Sequence, residues 1–164
     1  MSIKLDEKDT AILALIQENS KLTAKQIAKK INSPITTVFA KTKRMEELGI
    51  IKGYRAIVSP EKLGAGTTAF ILASVSYRTK ADDVPISQRT VAEEIAKFAE
   101  VQEVHIITGD WDLLIKLRAE NVDSIGKFVV DKLRLIEGIE KTLTCMVFEN
   151  VKETTKIALP LKRT

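Results

Sequence analysis

The sequence has little of the chemistry on which enzymes and metal sites are commonly built. Cys145 is the only cysteine and His105 the only histidine, which excludes an internal disulfide, a cysteine-based zinc site and any site made of several histidines. Aromatic residues make up only 5% of the chain, and no apolar run approaches the length of a transmembrane helix. The charged stretch MSIKLDEKD is not typical of a signal peptide. We therefore expect a soluble, cytoplasmic protein with no membrane segment and no metal or cofactor.

The charge is distributed unevenly along the chain. Residues 1–60 carry 11 Lys and Arg against 6 Asp and Glu, a net charge of +5, whereas residues 61–164 carry 15 against 16, a net charge of −1. All of the excess positive charge therefore lies in the first third, which suggests that this segment binds a polyanion. Surface lysines also serve solubility, so charge alone is weak support for this interpretation.

Three helical patterns follow one another in the first third. Asp6 is a suitable cap for the first helix, and Thr23 begins the second with a Thr-x-x-Gln capping box. For the third helix, Ser33 is the predicted cap, Pro34 the first helical residue and Leu48 the approximate end. Because the break before the third helix is very short, the last two helices are predicted to form a helix-turn-helix.

The third helix has one face suited to the protein core and another suited to DNA. At 100° per residue, Val38 and Met45 point towards the core. The opposite face has small polar residues at its start, which can reach base edges, and cations at its end, which can reach phosphates. Phe39 is predicted to pack beside Ile35 rather than to touch a thymine methyl. The residues predicted to contact DNA from this helix are Thr36, Thr37, Ala40, Lys41, Lys43 and Arg44. A solvated basic helix is the alternative interpretation.

A short strand pattern, GIIKGYRAIV, follows the third helix. Gly49 is a predicted helix stop, and Lys52 and Arg55 lie in the strand pattern. A basic wing after three helices describes a winged helix-turn-helix DNA-binding domain over residues 1–58, in which Lys52 and Arg55 also contact DNA. This order makes the solvated-helix interpretation the weaker one.

The rest of the chain predicts a second domain of the α+β class. Residues 59–66, SPEKLGAG, break the pattern and are a predicted hinge. Residues 67–153 alternate as strand, helix, strand, strand, helix, strand, which is the ferredoxin-like βαββαβ order. Helices cover only one face of such a sheet, so an exposed apolar face favours association with a second copy. Residues 154–164 are predicted to be a C-terminal tail, to which no role is assigned.

The stretch ITGDWD places two carboxylates around the only tryptophan, Trp111. Gly109 and Asp110 predict a two-residue hairpin turn between strands. Asp110 and Asp112 have three possible interpretations: an acid–base pair, a turn with solvated charges, or part of a pocket for a cationic group. The acid–base pair is the weakest, because only His105 nearby offers another catalytic group. No enzyme activity is therefore predicted.

Other residues support the pocket. In KTLTCMVF the period of two places Thr142 and Thr144 on one strand face, where their hydroxyls can orient a small polar ligand. Asp110 can pair with the ammonium group of a free amino acid, and backbone N–H groups near Thr108 with its carboxylate. Ordinary strand propensity is the alternative explanation of the threonines. The predicted effector-binding residues are Tyr77, Thr108, Gly109, Asp110, Trp111, Asp112, Thr142 and Thr144.

Along nearly its whole length, the chain resembles the leucine-responsive regulatory protein family, Lrp/AsnC. The motifs that carry the resemblance are LDEKDTAIL, GIIKGY and GDWDLLI. It implies a transcription regulator that binds pseudo-palindromic double-stranded DNA, dimerises and often forms tetramers or octamers, and binds an amino acid or related molecule between subunits. The chain departs from the family at Phe39 and Ala40, where relatives usually carry arginine or another polar residue.

Two other functions are compatible with the same fold. One is a DNA-packaging protein with no ligand and little sequence preference. The other is a small ferredoxin-like enzyme with a DNA-binding appendage, although the sequence shows no cofactor motif to support it.

Overall fold

The computed structural model describes residues 4–76, 78 and 85–159. They fall into two compact units. We call the first, within Met1–Ile57 and Lys152–Thr164, the N-terminal unit, and the second, within Val58–Val151, the sheet unit. None of the helices formed by these described residues is long and apolar enough to cross a membrane.

The N-terminal unit contains α1 (Glu7–Glu18), α2 (Ala24–Lys30) and α3 (Ile35–Glu47). The predicted caps of α1 and α2 form. The N–H of Asp9 donates to Asp6 Oδ1 over 2.8 Å and the N–H of Asp6 donates to Asp9 Oδ2 over 3.0 Å, and Thr23 and Gln26 make the same reciprocal pair at α2. Such caps satisfy N–H groups that have no partner inside the helix and contribute about 1 kcal/mol each.

The start of α3 differs from the prediction by one residue. Pro34 is the cap, with an extended ψ of 143°, and the helix begins at Ile35. Ser33, the predicted cap, therefore lies outside the helix, and its buried hydroxyl has no hydrogen-bond partner. Asn32 makes the turn before it with a positive φ of 47°, and Gly49 ends the helix as predicted with a φ of 67°.

The core of the N-terminal unit joins all three helices and also holds the C-terminal segment. Its buried apolar side chains are Ile12, Leu13, Ile27, Ala28, Val38 and Met45. Leu159 packs against this cluster. Gln17 Nε2 donates to the carbonyl of Ile157 over 3.1 Å, and Gln17 Oε1 accepts from the N–H of Ile157 over 2.8 Å. Part of the predicted C-terminal tail is therefore hydrogen-bonded to Gln17 of α1.

The predicted wing strand does not form. Residues 50–58 are all described and contain no strand. A strand needs a hydrogen-bonded neighbour to be stable, and the only sheet assembled from the described residues lies in the sheet unit. The segment has residues with a preference for strands, but no neighbouring strand is present in the described part of the chain to pair with it.

The sheet unit has the predicted βαββαβ order, with all paired strands antiparallel. Its elements are β1 (Thr67–Val75), α4 (Gln88–Ile95), β2 (Val101–Ile106), β3 (Leu113–Ala119), α5 (Val122–Asp131) and β4 (Ile139–Met146). The strands lie in the order β2-β3-β1-β4. A 3-10 turn over Glu61–Leu63 lies in the predicted hinge, and another over Leu133–Leu135 follows α5.

The two faces of the sheet have different environments. Alternate residues of β1, from Ala69 to Val75, are buried in one core with residues of α4 and α5. The opposite face, which we call the open face, carries the partly exposed apolar side chains of Phe70, Leu72, Leu114 and Leu143. This face also carries an ion pair between the edge strand β2 and β3, in which Lys116 Nζ lies 3.4 Å from Glu103 Oε1.

Candidate DNA-binding helix and ligand-binding turn

The solvent-facing side of α3 carries most of the residues predicted to contact DNA. Val38 and Met45 are fully buried, whereas Thr36, Ala40 and Lys43 are exposed. Lys43 Nζ lies 3.8 Å from Glu47 Oε1, but both side chains are exposed and such pairs contribute little. Lys43 is therefore available to a phosphate. Thr37, unlike Thr36, is partly buried and lies on the flank of the helix.

Phe39 lies on the same solvent-facing side. We expected its ring to pack beside Ile35, but Phe39 is 67% exposed and Ile35 itself is 48% exposed. Neither side chain is therefore buried in the core of the N-terminal unit. The core-facing positions are already filled by Val38 and Met45, and a residue one position after Val38 is rotated by about 100° away from the core.

Lys41 does not point towards DNA as predicted. Its Nζ lies 3.0 Å from Asp9 Oδ1 and also contacts the carboxylate of Asp6. The Asp9 side chain is 1% exposed and that of Lys41 is 18% exposed. Lys41 therefore joins α3 to the start of α1, and its assignment as a DNA contact is corrected. Arg44 NH1 lies 3.5 Å from Asp9 Oδ2 but remains half exposed, so it can still reach a phosphate.

This cluster of charges shifts the pKa of two of its members. The hydrogen bond from Lys41, together with the backbone N–H of Asp9, lowers the pKa of Asp6 from 3.8 to about 2. For Lys41, burial alone lowers the pKa, but the hydrogen bonds to Asp6 and Asp9 outweigh it and raise the pKa. Asp6 and Lys41 are therefore both charged at neutral pH. The local sequence places Asp9 in the first turn of the first helix, but its pairing with α3 depends on tertiary packing.

The residues of the predicted wing lie beside α3 without forming a strand. The N–H groups of Ile50 and Ile51 donate to the carbonyl of Met45 over 2.9 and 3.1 Å. Tyr54 Oη donates to Glu46 Oε1 over 2.8 Å. Burial, followed by this hydrogen bond and the charge of Glu46, raises the pKa of Tyr54 to about 12. The predicted DNA contacts of this segment, Lys52 and Arg55, are exposed.

In the sheet unit, the turn between β2 and β3 is longer than predicted. Ile106 pairs with Leu113, and the N–H of Ile107 donates to the carbonyl of Asp112 over 2.8 Å. The loop therefore contains residues 108–111 and is not a two-residue hairpin. Gly109 has the expected positive φ, 117°, and Asp110 is exposed at the tip.

Asp112 is used inside the sheet unit. Its Oδ2 accepts from the N–H of Val75 over 2.7 Å, and its Oδ1 accepts from Gln88 Nε2. The Asp112 N–H donates to the carbonyl of Ala73 over 3.0 Å. The carboxylate thus ties the end of β1 and the start of α4 to the turn, and its predicted role as a direct ligand of the effector is corrected. Asp110 keeps an exposed carboxylate for that role.

Thr142 lies at the same end of the sheet as the turn, whereas Thr144 is one step further along. Ala73 pairs with both Leu113 and Thr142, which places Thr142 two strands, about 10 Å, from the start of β3. Its hydroxyl accepts from Arg134 Nε and Nη2 at 3.3 Å each.

Of the other predicted effector-binding residues, Trp111 is partly buried and Thr108 is exposed. Tyr77, also predicted to bind the effector, lies outside the described residues.

A metal site is not found in the described ranges: they contain no group of three His, Cys, Asp or Glu side chains that could hold an ion.

Comparison with known proteins agrees with this division of the chain. A model for winged helix-turn-helix DNA-binding domains matches residues 5–52, and a model for the Lrp/AsnC ligand binding domain matches residues 68–157. The chain belongs to the Lrp/AsnC family.

Several members of the Lrp/AsnC family are similar over almost their full length. An uncharacterized HTH-type transcriptional regulator of Pyrococcus abyssi is 44% identical over 149 residues, covering 91% of this chain and 96% of that protein. The HTH-type transcriptional regulator FL11 of the same organism is 35% identical over 162 residues, covering 99% of this chain and all of FL11 (100%).

Solved Lrp/AsnC structures have the same fold. A transcriptional regulator from Neisseria meningitidis, in complex with L-Met, superposes with a TM-score of 0.86 at 29% identity, over 96% of this chain and 98% of its own. Escherichia coli AsnC superposes with a TM-score of 0.82 at 25% identity, over 94% of this chain and 99% of its own. The protein is thus a family regulator with a helix-turn-helix domain and a ligand-binding domain.

Proposed function

We propose that the protein is a sequence-specific DNA-binding transcription regulator whose DNA binding or oligomeric state responds to an amino acid or a related small molecule. The observation that carries the proposal is the exposed face of α3, which presents Thr36, Ala40 and Lys43 in the most basic part of the chain. The alternative is a ligand-independent, weakly sequence-specific DNA-packaging protein.

The α3 face is compatible with insertion into a major groove. Thr36 can bind base edges, Ala40 permits close approach, and Lys43 can bind phosphate. Arg44, Lys52 and Arg55 are exposed around it and add phosphate contacts. Two copies of the chain would then read half-sites of a pseudo-palindrome spaced about one helical turn, roughly 34–36 Å, apart.

The open face of the sheet supports association with a second copy. Its apolar residues, Phe70, Leu72, Leu114 and Leu143, are more exposed than the core on the other side, and such a face is normally covered by a partner. The Lys116–Glu103 pair on this face can fix the register of the partner. A dimer is the smallest assembly that supplies two α3 helices to one DNA site.

The turn between β2 and β3 supports an amino acid effector. Asp110 offers an exposed carboxylate to an ammonium group, and the backbone around Thr108 and Gly109 offers N–H groups to a carboxylate. The L-Met bound to the Neisseria regulator is an example of such a ligand in a similar structure. Thr142 and Trp111 lie at the same end of the sheet, and the part of Tyr77, which lies outside the described residues, stays a prediction. Binding between subunits would couple ligand to DNA through the spacing of the α3 helices.

The DNA part of the proposal is tested by selecting binding sites for the full-length protein from a random duplex pool. We expect one enriched sequence, bound at least 100-fold more tightly than a scrambled duplex at the same salt concentration. Equal affinity for the two duplexes would contradict specific regulation and favour DNA packaging.

The effector part is tested through Trp111, the only tryptophan. We would titrate the protein with each of the twenty amino acids and follow its fluorescence. A saturable change with one or a few of them is expected, and it should be lost in Asp110→Ala. The matched control is Asp131→Ala, which removes an exposed carboxylate at the end of α5. An equal loss in the control would contradict a site at the turn.

A further inference from the structure

The exposed face of α3 has an unusual composition for a DNA-contacting helix. Phe39 lies three residues after Thr36 and four before Lys43, so the three side chains share one face of the helix. Phe39 is 67% exposed, and Ala40 beside it is too small to cover the ring. The Phe39 ring, which is the largest apolar side chain in the first half of this face, is therefore directed to solvent.

The ring is supported from one side without being covered. Phe39 lines an apolar groove of about 220 Å³ between the helices of the N-terminal unit, together with Ile16, Leu22 and Tyr54. Part of the side chain thus faces other apolar groups, which restricts its movement, while most of its surface stays accessible. A side chain held in this way can contact another molecule at a small loss of conformational entropy.

The cations on this face give no sequence discrimination, and Thr36 and Ala40, which can also contact a thymine methyl, have shorter side chains than Phe39. Lys43 and Arg44 suit phosphates, which position a protein on DNA but carry no sequence information. The hydroxyl of Thr36 can pair with several kinds of base edge. In the major groove only thymine presents a methyl group, and an apolar side chain such as phenylalanine is a suitable contact for it. Residues in the first half of a recognition helix are those that approach the bases.

We propose that Phe39 contacts the C5-methyl group of a thymine in each half-site and is a specificity-determining residue of this protein. The proposal rests on the proposed function, because it requires duplex DNA bound at α3. The basic surroundings of the ring, in a segment of net charge +5 over residues 1–60, favour DNA as the molecule that covers it.

The experiment uses full-length protein and the duplex enriched by site selection. Each thymine is replaced singly by deoxyuridine, which lacks only the C5-methyl group. For the wild type, we expect one replacement per half-site to weaken binding by about fourfold, the amount that corresponds to one buried methyl group. Phe39→Ala should bind the thymine and deoxyuridine duplexes equally, and Phe39→Leu should recover part of the difference.

Ile35→Ala is the matched control, because it removes the other exposed apolar side chain at the start of α3. It should keep the wild-type preference for thymine. If Phe39→Ala, folded as judged by its thermal unfolding, still loses about fourfold on deoxyuridine replacement, the proposal is overturned. If the wild type enriches no sequence at all, the proposed function fails first and this inference fails with it.

Discussion

Asp9 Oδ1 and Lys41 Nζ lie 3.0 Å apart and join the first turn of α1 to the middle of α3. The Asp9 carboxylate is buried and also faces Arg44 at 3.5 Å, so a single acidic group pairs with two cations of α3. A buried carboxylate is tolerated when it is paired and hydrogen-bonded. This cluster joins α3 to α1 and distinguishes Lys41, which is paired with both acidic residues, from the exposed Lys43.

The stability of the N-terminal unit should depend on Asp9. We expect Asp9→Ala to lower the free energy of unfolding by about 3 kcal/mol, because it removes a helix cap and leaves Lys41 partly buried with one partner fewer. Urea unfolding measures the change. Glu7→Ala, which removes an exposed acidic residue of the same helical turn, should change stability by less than about 0.5 kcal/mol. Equal losses of unfolding free energy in the two variants would contradict a stabilising role for the ion pairs of Asp9.

Lys41 and Lys43 should respond differently in DNA binding. Lys43→Ala should weaken binding to all duplexes by a similar factor and make the slope of log affinity against log salt shallower by about 0.9, since one phosphate contact is lost. Lys41→Met should lower the stability of the protein and leave the slope unchanged, because Lys41 is paired with Asp6 and Asp9. Affinities measured from 50 to 200 mM salt distinguish the two. A shallower slope for Lys41→Met would restore it as a phosphate contact.

Acid should destabilise the protein partly through Asp6. Its pKa falls from 3.8 to about 2 in the folded protein, so the ionised form stabilises the fold. That contribution is fully present above the unfolded pKa and is lost as the pH falls from about 4 to about 2. In Asp6→Asn, stability should fall less steeply over this range than in the wild type. Urea midpoints at a series of pH values test this, and parallel curves for the two proteins would contradict it.

The two carboxylates around Trp111 should have separable roles. Asp112→Ala should lower stability by about 2 kcal/mol, because the N–H of Val75 and the amide of Gln88 lose their acceptor. Amide exchange at Val75 should become faster. Asp110→Ala should leave stability within about 0.5 kcal/mol of the wild type, because Asp110 is exposed, and should abolish the amino acid response. A stable Asp112→Ala variant with normal exchange at Val75 would count against a structural role.

Periodicity predicted most of the fold. The three N-terminal helices, two of their caps and the βαββαβ order follow from local pattern and turn chemistry. Errors arose where a residue's partner is distant in sequence. Lys41 was assigned to DNA because its acidic partners lie 32 and 35 residues earlier. Asp112 was assigned to the effector because Val75 is 37 residues away.

Partners that are distant in sequence also explain the errors in strand pairing and in the C-terminal segment. The GIIKGY segment has the composition of a strand, but a strand also needs a neighbour that composition does not reveal. Nothing in the local pattern near Ile157 indicated that its backbone pairs with Gln17, which is 140 residues earlier. The exposure of Phe39 was missed because an aromatic residue beside an apolar one is most often packed.

The most direct test of the account measures the affinity of the full-length protein for its selected duplex with and without the amino acid that changes Trp111 fluorescence. We expect that ligand to change the affinity by about 5- to 150-fold, the range of ordinary allosteric coupling, with no such change for Asp110→Ala. Specific binding that is identical with and without every amino acid, at concentrations that saturate the protein, would contradict an effector-responsive regulator.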